Sequence, residues 1–241
     1  MACYIRTLDV DNKQGLFLKT QDLSEFASSM EYDAQYDKHY EDDIALIQKH
    51  ITAMGDRSLL DVCCGTGIVT IPVAKKLDNA VGIDIAEGML RHAKRKTQGL
   101  DTLSFLQQDA TQLSLDKRFD MAIMTGNAFQ AFLSDEMLVG VLNSISNHLN
   151  RGGRFIFDTR LPTPDNLEID AEMSLWQTYE LPDKGEVKFM GMSERYEAKR
   201  AILYLKKERN YQDGSTTHSS IDLKYRKLSE IEVFLAQAGL C

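Results

Sequence analysis

Five short apolar runs in the middle of the 241-residue chain alternate with amphipathic stretches, and this alternation constrains the fold more than any other feature. The runs predict strands at 58–62, 81–84, 103–106, 121–124 and 155–157. Strands that alternate with helices pair in parallel, and the helices cover both faces of the sheet. The sequence therefore predicts an α/β protein with a doubly wound, mostly parallel sheet, whose ligands bind outside the carboxyl ends of the strands.

Helical periodicity is the second signal. Apolar residues at spacings of three and four predict helices at 26–50, 68–76, 87–96 and 230–238, and one more that begins after Ser134. Pro72 is compatible with the second of these helices only near its start, where no intrahelical donor is lost. Ser229 and Glu232 predict a capping box for the last helix.

The pattern changes after the fifth predicted strand. Residues 173–226 predict antiparallel strands at 188–195, 201–211 and 216–225, and Asp213-Gly214 is typical of a hairpin turn between the last two. We therefore expect four parts, which are an N-terminal helical cap segment (1–57), a ligand-binding core (58–160), an antiparallel insert that covers the substrate (161–227) and a C-terminal helix that returns to the core (228–241).

Composition excludes several classes of protein. The net charge of −8 argues against a nucleic-acid partner. No apolar run reaches the roughly 20 residues that span a bilayer, and no secretory signal is visible, so we expect a cytoplasmic protein without a membrane partner. Cys3, Cys63, Cys64 and Cys241 have neither disulfide nor zinc spacing, and the five histidines are scattered, so no metal site is expected. The oligomeric state stays open.

The loop Cys63-Cys64-Gly65-Thr66-Gly67 joins the first predicted strand to the helix that follows. Glycines at such a junction let the backbone approach a ligand, and the start of the helix offers free N–H groups. Asp84 ends the second predicted strand, nineteen residues after Gly65. We expect an exposed carboxylate there, able to accept hydrogen bonds from both hydroxyls of a ribose. Together the loop and Asp84 predict an adenosine-type ligand.

Two residues argue against a nicotinamide dinucleotide as this ligand. Its fingerprint, G-x-G-x-x-G, needs a third Gly or Ala at the position of Thr70. The fingerprint also has no acid at the position of Asp61. A nicotinamide oxidoreductase is therefore the weakest of the functions considered.

Asp61-x-Cys63-x-Gly65-x-Gly67 instead resembles the acidic-x-Gly-x-Gly-x-Gly loop of class I S-adenosylmethionine-dependent methyltransferases of the small-molecule type. The resemblance covers residues 32–158 and continues, in order, through Val81-Gly82-Ile83-Asp84, Gln108-Asp109-Ala110, Phe119-Asp120 and Leu149-Asn150-Arg151-Gly152-Gly153. It implies a Rossmann-like methyltransferase sheet with the antiparallel insert after the fifth strand, and S-adenosyl-L-methionine as cofactor.

The sequence departs from the family pattern at two places. Cys63 stands where the loop usually has its first glycine. The chain also ends two residues after Gly239, where family members usually continue into two further strands. We therefore expect either a shortened protein or an insert that fills this edge of the sheet.

The resemblance implies roles for individual residues on the cofactor side. Asp61 would set the loop and reach toward the methionyl amino group, Asp84 would bind the ribose, and Asp109 would contact the adenine amino group unless it only caps a helix. The full set of cofactor-binding candidates is Tyr32, Asp61, Cys63, Cys64, Gly65, Thr66, Gly67, Asp84, Ile85, Met89, Asp109, Ala110, Thr125, Gly126 and Asn127.

No catalytic residue is certain from the sequence, but several residues are candidates for the acceptor side. They are Tyr32, Tyr36, Asn127, Phe129, Arg160 and Trp176, and for the tyrosines and Trp176 core packing is the alternative. The predicted function is transfer of a methyl group to an N, O or C nucleophile of a small molecule by in-line displacement, without a metal. The alternative is a catalytically inactive, methyltransferase-like protein that binds only the cofactor or a partner.

Overall fold

A computed structural model describes residues 22–240, and their strands form two separate sheets. The first sheet is parallel, with strand order β3-β2-β1-β4-β5, and the second is antiparallel, with order β6-β7-β8-β9. The strands are β1 (Ser58–Val62), β2 (Asn79–Asp84), β3 (Leu103–Gln107), β4 (Phe119–Met124), β5 (Leu149–Phe157), β6 (Ser174–Leu181), β7 (Gly185–Glu197), β8 (Ile202–Tyr211) and β9 (Thr216–Lys224).

Six α-helices accompany these strands in the described part of the chain. They are α1 (Ser29–Tyr36), α2 (Glu41–Met54), α3 (Thr70–Ala74), α4 (Glu87–Lys96), α5 (Asp135–Asn147) and α6 (Leu228–Gln237). Single turns of 3₁₀ helix lie at Ser24–Phe26, Asp37–Tyr40, Ala110–Gln112, Ala128–Ala131 and Asp165–Leu167. None of the helices within 22–240 is long and apolar enough to cross a membrane.

The parallel sheet confirms the predicted fold class, and its apolar runs explain its position. β1 pairs with β2 on one side and β4 on the other, so it lies inside the sheet. Helix residues pack on both of its faces. Leu59 and Leu60 point to opposite faces, and both are fully buried. One apolar cluster lies on each face, because a doubly covered parallel strand has no solvent side.

Three predicted helices differ from the observed ones. The predicted helix at 26–50 is interrupted by the 3₁₀ turn Asp37–Tyr40, and the one at 68–76 shortens to α3, whose third residue is Pro72. α6 begins one residue before Ser229, which makes Lys227 the N-cap. The capping interaction therefore joins the Lys227 N–H to the Glu230 carboxylate at 2.7 Å, and the predicted Ser229–Glu232 box is wrong.

Two predictions about β-structure also need correction. β5 begins at Leu149, so Gly152 and Gly153 lie within the strand, at an irregularity in its pairing with β4. β6, an additional strand of the insert, was not predicted individually. The insert forms its own sheet and does not pair with β5, so it does not fill the edge of the parallel sheet. The hairpin turn at Asp213-Gly214 is confirmed.

One face of the antiparallel sheet packs against the segment that precedes the parallel domain. Gln177 on β6 donates to the backbone carbonyl of Gln35 on α1 at 3.0 Å, and Lys184 pairs with Glu31 at 2.9 Å. We call residues 22–40 together with β6–β9 the cap. Cys3, Cys241 and the ends of the proposed first and last parts, 1–21 and 241, lie outside the described residues.

Candidate functional site

A cavity of about 660 Å³ lies between the carboxyl ends of the parallel strands and the cap. Cys63, Asp84, Thr125 and Asp158 line it from the ends of β1, β2, β4 and β5. Its opposite wall is made by side chains of the cap, including Tyr32, Tyr36, Trp176 and Phe189. The cavity therefore lies where a doubly wound sheet is expected to bind its ligand.

The glycine loop turns sharply beneath one end of this cavity. Cys63, Gly65 and Gly67 all have positive φ values, of 62°, 55° and 75°. A Cβ on Gly67 would lie 2.8 Å from the Phe105 ring, so only glycine fits there. Cys63 adopts the left-handed conformation that glycine usually supplies, so the departure seen in the sequence keeps the shape of the turn.

Asp84 fixes the loop as well as facing the cavity. Its Oδ2 accepts a hydrogen bond from the Gly65 N–H and its Oδ1 one from the Ala86 N–H, both at 2.8 Å. It is partly buried, so the expectation of an exposed acid is wrong. Burial raises the pKa of Asp84, and the two backbone donors oppose that shift. Each oxygen keeps lone pairs that a ligand hydroxyl can use.

Asp61 lies just behind the loop, with 1% of its surface exposed. Thr70 Oγ1 donates to its Oδ2 at 2.5 Å, while Oδ1 is buried without a hydrogen-bond partner among residues 22–240. Burial raises the pKa of Asp61 to about 7, helped by the nearby charge of Asp84 and opposed by Thr70. In the sequence Thr70 stands where the dinucleotide fingerprint has a glycine, and its contact with Asp61 was not predicted.

Asp109, like Asp61, has one carboxylate oxygen that accepts hydrogen bonds and one that has no partner among the described residues. Its Oδ1 accepts from the backbone and hydroxyl of Thr111, at 2.8 and 2.7 Å, and so caps the turn Ala110–Gln112. Its Oδ2 is buried and has no partner in the described chain. Helix capping therefore accounts for one oxygen only. Its neighbour Ala110 lines the cavity, as do Ile85 and Met89, whereas Asp109 itself does not line it.

Six predicted site residues do not line the cavity: Asp61, Cys64, Thr66, Gly67, Asp109 and Phe129. Phe129 is 1% exposed and stacks on Phe157 with ring centroids 4.6 Å apart, so it belongs to the apolar core. Thr66 donates from its hydroxyl to Asp33 on α1. Asp33 also accepts from Lys96 at 2.6 Å, which ties α1 to the glycine loop and to α4.

Three tyrosines form the wall at the middle of the cavity. The hydroxyls of Tyr32 and Tyr40 are 3.3 Å apart, and that of Tyr36 donates to Glu25 at 3.4 Å. A Cβ on Gly126 would lie 2.6 Å from the Tyr40 oxygen, so the absence of a side chain there makes room for this ring. Burial raises the pKa of each of the three tyrosines, which keeps them protonated.

Asn127 lies opposite these rings in the left-handed conformation, with φ of 59°. Its N–H donates to the carboxylate of Asp158, at 2.9 Å to Oδ2. Burial raises the pKa of Asp158, the Asn127 N–H opposes this, and Asp43 adds to it. Arg160 is exposed and lines the same cavity as Asn127, and the half-exposed Trp176 lines it from β6. Asp158 and Tyr40 were not among the predicted site residues.

The cap end of the cavity contains buried charges that sequence reasoning missed. Glu25, Lys207 and Arg209 are 4%, 8% and 5% exposed, and Glu25 pairs with both cations. The sequence places the two cations on the same face of β8 as Leu205, because the three residues occur at alternate positions, but it does not identify Glu25 as their partner. Among residues 22–240, no group of three or more His, Cys, Asp or Glu side chains could hold a metal ion.

The order of the parallel sheet, the glycine loop and the acid at the end of β2 define a Rossmann-like domain of the methyltransferase type. Comparison with known proteins agrees. Residues 59–153 match the methyltransferase domain family. The Bacillus subtilis protein YqeM, which is named as a methyltransferase, is 27% identical over 131 residues, or 50% of this chain and 53% of that protein. Residues 59–153 therefore form a methyltransferase domain, and the fold around them is that of class I S-adenosylmethionine-dependent methyltransferases.

Solved structures share the fold over a longer part of the chain. An S-adenosylmethionine-dependent methyltransferase from Clostridium acetobutylicum matches with a TM-score of 0.71 at 21% identity, covering 84% of each chain. CalS10 from Micromonospora echinaspora, an amino pentose methyltransferase involved in calicheamicin biosynthesis, matches with a TM-score of 0.70 at 20% identity, covering 83% of each chain. The chain spans about half the length of the curated relatives it matches.

Proposed function

We propose that this chain transfers a methyl group from S-adenosylmethionine to a nitrogen or oxygen nucleophile of a small molecule. The observation that carries the proposal is the continuity of the cavity. It extends from Asp84 at the end of β2, past Asn127, to Trp176 in the cap. A single continuous space can therefore hold the donor at the sheet and the acceptor beneath the cap.

The cofactor end fits the groups that S-adenosylmethionine presents. Asp84 would accept from the ribose hydroxyls, Asp61 Oδ1 from the methionyl ammonium and Asp109 Oδ2 from the adenine amino group. Buried acceptors without partners are costly, and two of these oxygens have none within residues 22–240. A ligand with correctly placed amino groups would satisfy both. When bound, S-adenosylmethionine supplies a methyl group activated by its sulfonium.

The protein's own contribution is orientation and the control of one proton. Tyr32, Tyr36 and Tyr40 are held neutral, so they donate hydrogen bonds and exclude water but do not accept the proton of the nucleophile. Asp158 is a carboxylate that lines the cavity beside Asn127. We assign to it the proton that leaves the acceptor's nitrogen or oxygen when the nucleophile is methylated.

The acceptor would lie between α1 and β6–β7. Tyr32 and Tyr36 face this space from α1, and Trp176 faces it from β6. Arg160 would pair with a carboxylate or phosphate of the acceptor. The similarity to CalS10, whose acceptor is an amino pentose, supports a small molecule rather than a macromolecule.

The test is turnover. The protein is incubated with S-adenosylmethionine and a panel of small amines and alcohols, with and without an anionic group, and S-adenosylhomocysteine is measured by mass spectrometry. We expect acceptor-dependent product in the wild type and much less in Asp158→Asn. Tight binding of S-adenosylhomocysteine by calorimetry, without turnover of any acceptor, would favour the inactive, cofactor-binding alternative.

A further inference from the structure

The cap end of the cavity is built around a buried carboxylate shared by two cations. Glu25 Oε1 accepts from Lys207 Nζ at 2.8 Å and from Arg209 Nη2 at 3.1 Å. Glu25 Oε2 accepts from Ser219 Oγ at 2.7 Å. The cluster therefore carries two positive charges and one negative charge in a region shielded from water. An excess buried charge is unfavourable unless another group compensates it.

Lys207 and Arg209 differ in how many of their N–H donors have a hydrogen-bond acceptor within the protein. Arg209 donates four hydrogen bonds within the protein: two to Glu25, one to Ser219 and one to the side-chain oxygen of Gln35. Lys207 has three N–H donors, and the described residues give it one hydrogen-bond acceptor, Glu25. Lys207 lines the cavity, whereas Arg209 does not.

A second donor next to this cluster is also unused. Gln35 is 2% exposed and lines the cavity, and its Oε1 accepts from Arg209 at 3.0 Å. Its Nε2 is buried and has no hydrogen-bond partner among residues 22–240. The wall thus presents donors from two buried side chains and the excess charge of a buried ammonium.

We propose that Lys207 and Gln35 form an anion subsite, which holds a carboxylate or phosphate group of the acceptor at the cap end of the cavity. This inference rests on the proposed function and narrows its substrate class to small molecules that carry both a nucleophile and an anionic group. Arg160 lines the same cavity and adds a second cation on the exposed side. Asp165 and Glu168 also line it but are exposed, so solvent screens their repulsion of an anion.

Aromatic side chains surround the Lys207 ammonium. Its Nζ lies 5.7 Å from the centroid of the Phe189 ring, and Trp176 packs edge-on against that ring at 5.8 Å. Gly191 is paired with Lys207 in register, and a Cβ on Gly191 would lie 2.4 Å from the Trp176 indole. The indole therefore covers the strand directly beside Lys207. Because Trp176 is the single tryptophan in the chain, its fluorescence reports on this subsite.

The experiment is an anion titration of the full chain at constant ionic strength. Inorganic phosphate, and separately acetate, is added to the protein with and without S-adenosylhomocysteine while the Trp176 fluorescence is recorded. The test variant is Lys207→Met. The matched control is Lys206→Met, which removes a lysine from the next position of β8 and from its opposite, exposed face, where it pairs with Glu194.

We expect saturable binding of at least one ion to the wild type and to Lys206→Met, and binding weaker by about tenfold or more in Lys207→Met. Phosphate binding alone indicates a phosphorylated acceptor, and binding of acetate as well indicates a carboxylate. Equal affinities in the two variants, or no saturable signal in the wild type with either ion, would overturn the subsite.

Two further variants keep the test decisive if Lys207→Met does not fold. Lys207→Arg retains the charge and should keep the site, whereas Gln35→Glu adds a negative charge at the same place and should abolish binding. The fluorescence measurement needs no turnover, so the anion subsite and the methyltransferase activity are tested independently. Lys207-dependent anion binding without methyl transfer refutes the enzyme only, and methyl transfer without such binding refutes the subsite only.

Discussion

The parallel-sheet domain and the cap are held together by different forces. On both faces of β1 the interior is mainly apolar, with Leu59, Leu60 and Val62 fully buried and Asp61 the one buried charge of the strand. The cap instead joins its helix to its sheet through buried charges, with Glu25 between Lys207 and Arg209, and Glu31 accepting from Tyr211 at 3.0 Å. Apolar packing tolerates substitutions of similar size. A buried ion pair is strongly destabilised when one partner is lost, so the cap should be the more sensitive region to a single change of charge.

The largest expected effect is that of Glu25→Gln in the cap. The variant leaves Lys207 and Arg209 buried without their shared counter-charge, so the free energy of unfolding should fall by about 3–5 kcal/mol. Denaturant unfolding measures this. Glu194→Gln is the control, since it breaks the partly exposed pair with Lys206 and should cost about 1 kcal/mol or less. Similar losses in both variants would show that buried charges do not hold the cap in place.

The next largest effect concerns the boundary between the two regions. Asp158→Asn keeps an oxygen that can accept from the Asn127 N–H, so the turn should persist while kcat falls about 100-fold. Asp158 is active as the carboxylate and its pKa is raised, so wild-type activity should fall as the pH drops through that pKa. Asp43 raises the pKa of Asp158 further and Arg160 lowers it, while the charge of Asp158 raises the pKa of Tyr40. If the acidic limb of the pH–rate profile survives in the variant, Asp158 is not the proton acceptor.

Asp84→Ala tests the cofactor end of the parallel domain. Loss of hydrogen bonds from the ribose should weaken binding of S-adenosylhomocysteine by about 1–3 kcal/mol, as measured by calorimetry. Because Asp84 also accepts from Gly65 and Ala86, the free energy of unfolding should fall by about 1–2 kcal/mol. Asp101→Ala, in an exposed turn, is the control and should change neither quantity. Unchanged affinity of Asp84→Ala for S-adenosylhomocysteine would show that Asp84 does not bind the ribose.

The smallest effect is a pH dependence of cofactor binding. Asp61 has a pKa of about 7 in the folded protein, well above its ordinary value. The unfolded chain therefore loses this proton at a lower pH than the folded protein does, so the free energy of unfolding of the ligand-free protein should fall as the pH rises from 4 to 7. The ionised form is the one that pairs with an ammonium. Affinity for S-adenosylhomocysteine should therefore rise about tenfold between pH 6 and pH 8. Asp61→Asn should bind S-adenosylhomocysteine more weakly, and its affinity should not depend on pH in this range. The same pH dependence in the variant would show that Asp61 does not bind the amino group.

The same contrast explains what could be predicted from the sequence. The five parallel strands and the meeting of Gly65 with Asp84 were predictable because apolar runs and the spacing between these two residues are local signals. Lys207 and Glu25 were not, because a charged residue indicates solvent exposure until its partner is known, and these two are 182 positions apart. Phe129, a candidate for the acceptor side, was placed wrongly, because its ring packs into the core.

The most direct test of the account is a crystal structure of the protein with S-adenosylhomocysteine. It should show the ribose hydroxyls on Asp84, the amino group of the homocysteine beside Asp61, and its sulfur facing the space between Tyr32 and Asn127, with the volume beneath Trp176 free for an acceptor. A ribose bound away from Asp84, or a ligand that fills the volume beneath Trp176, would contradict a single cavity shared by donor and acceptor.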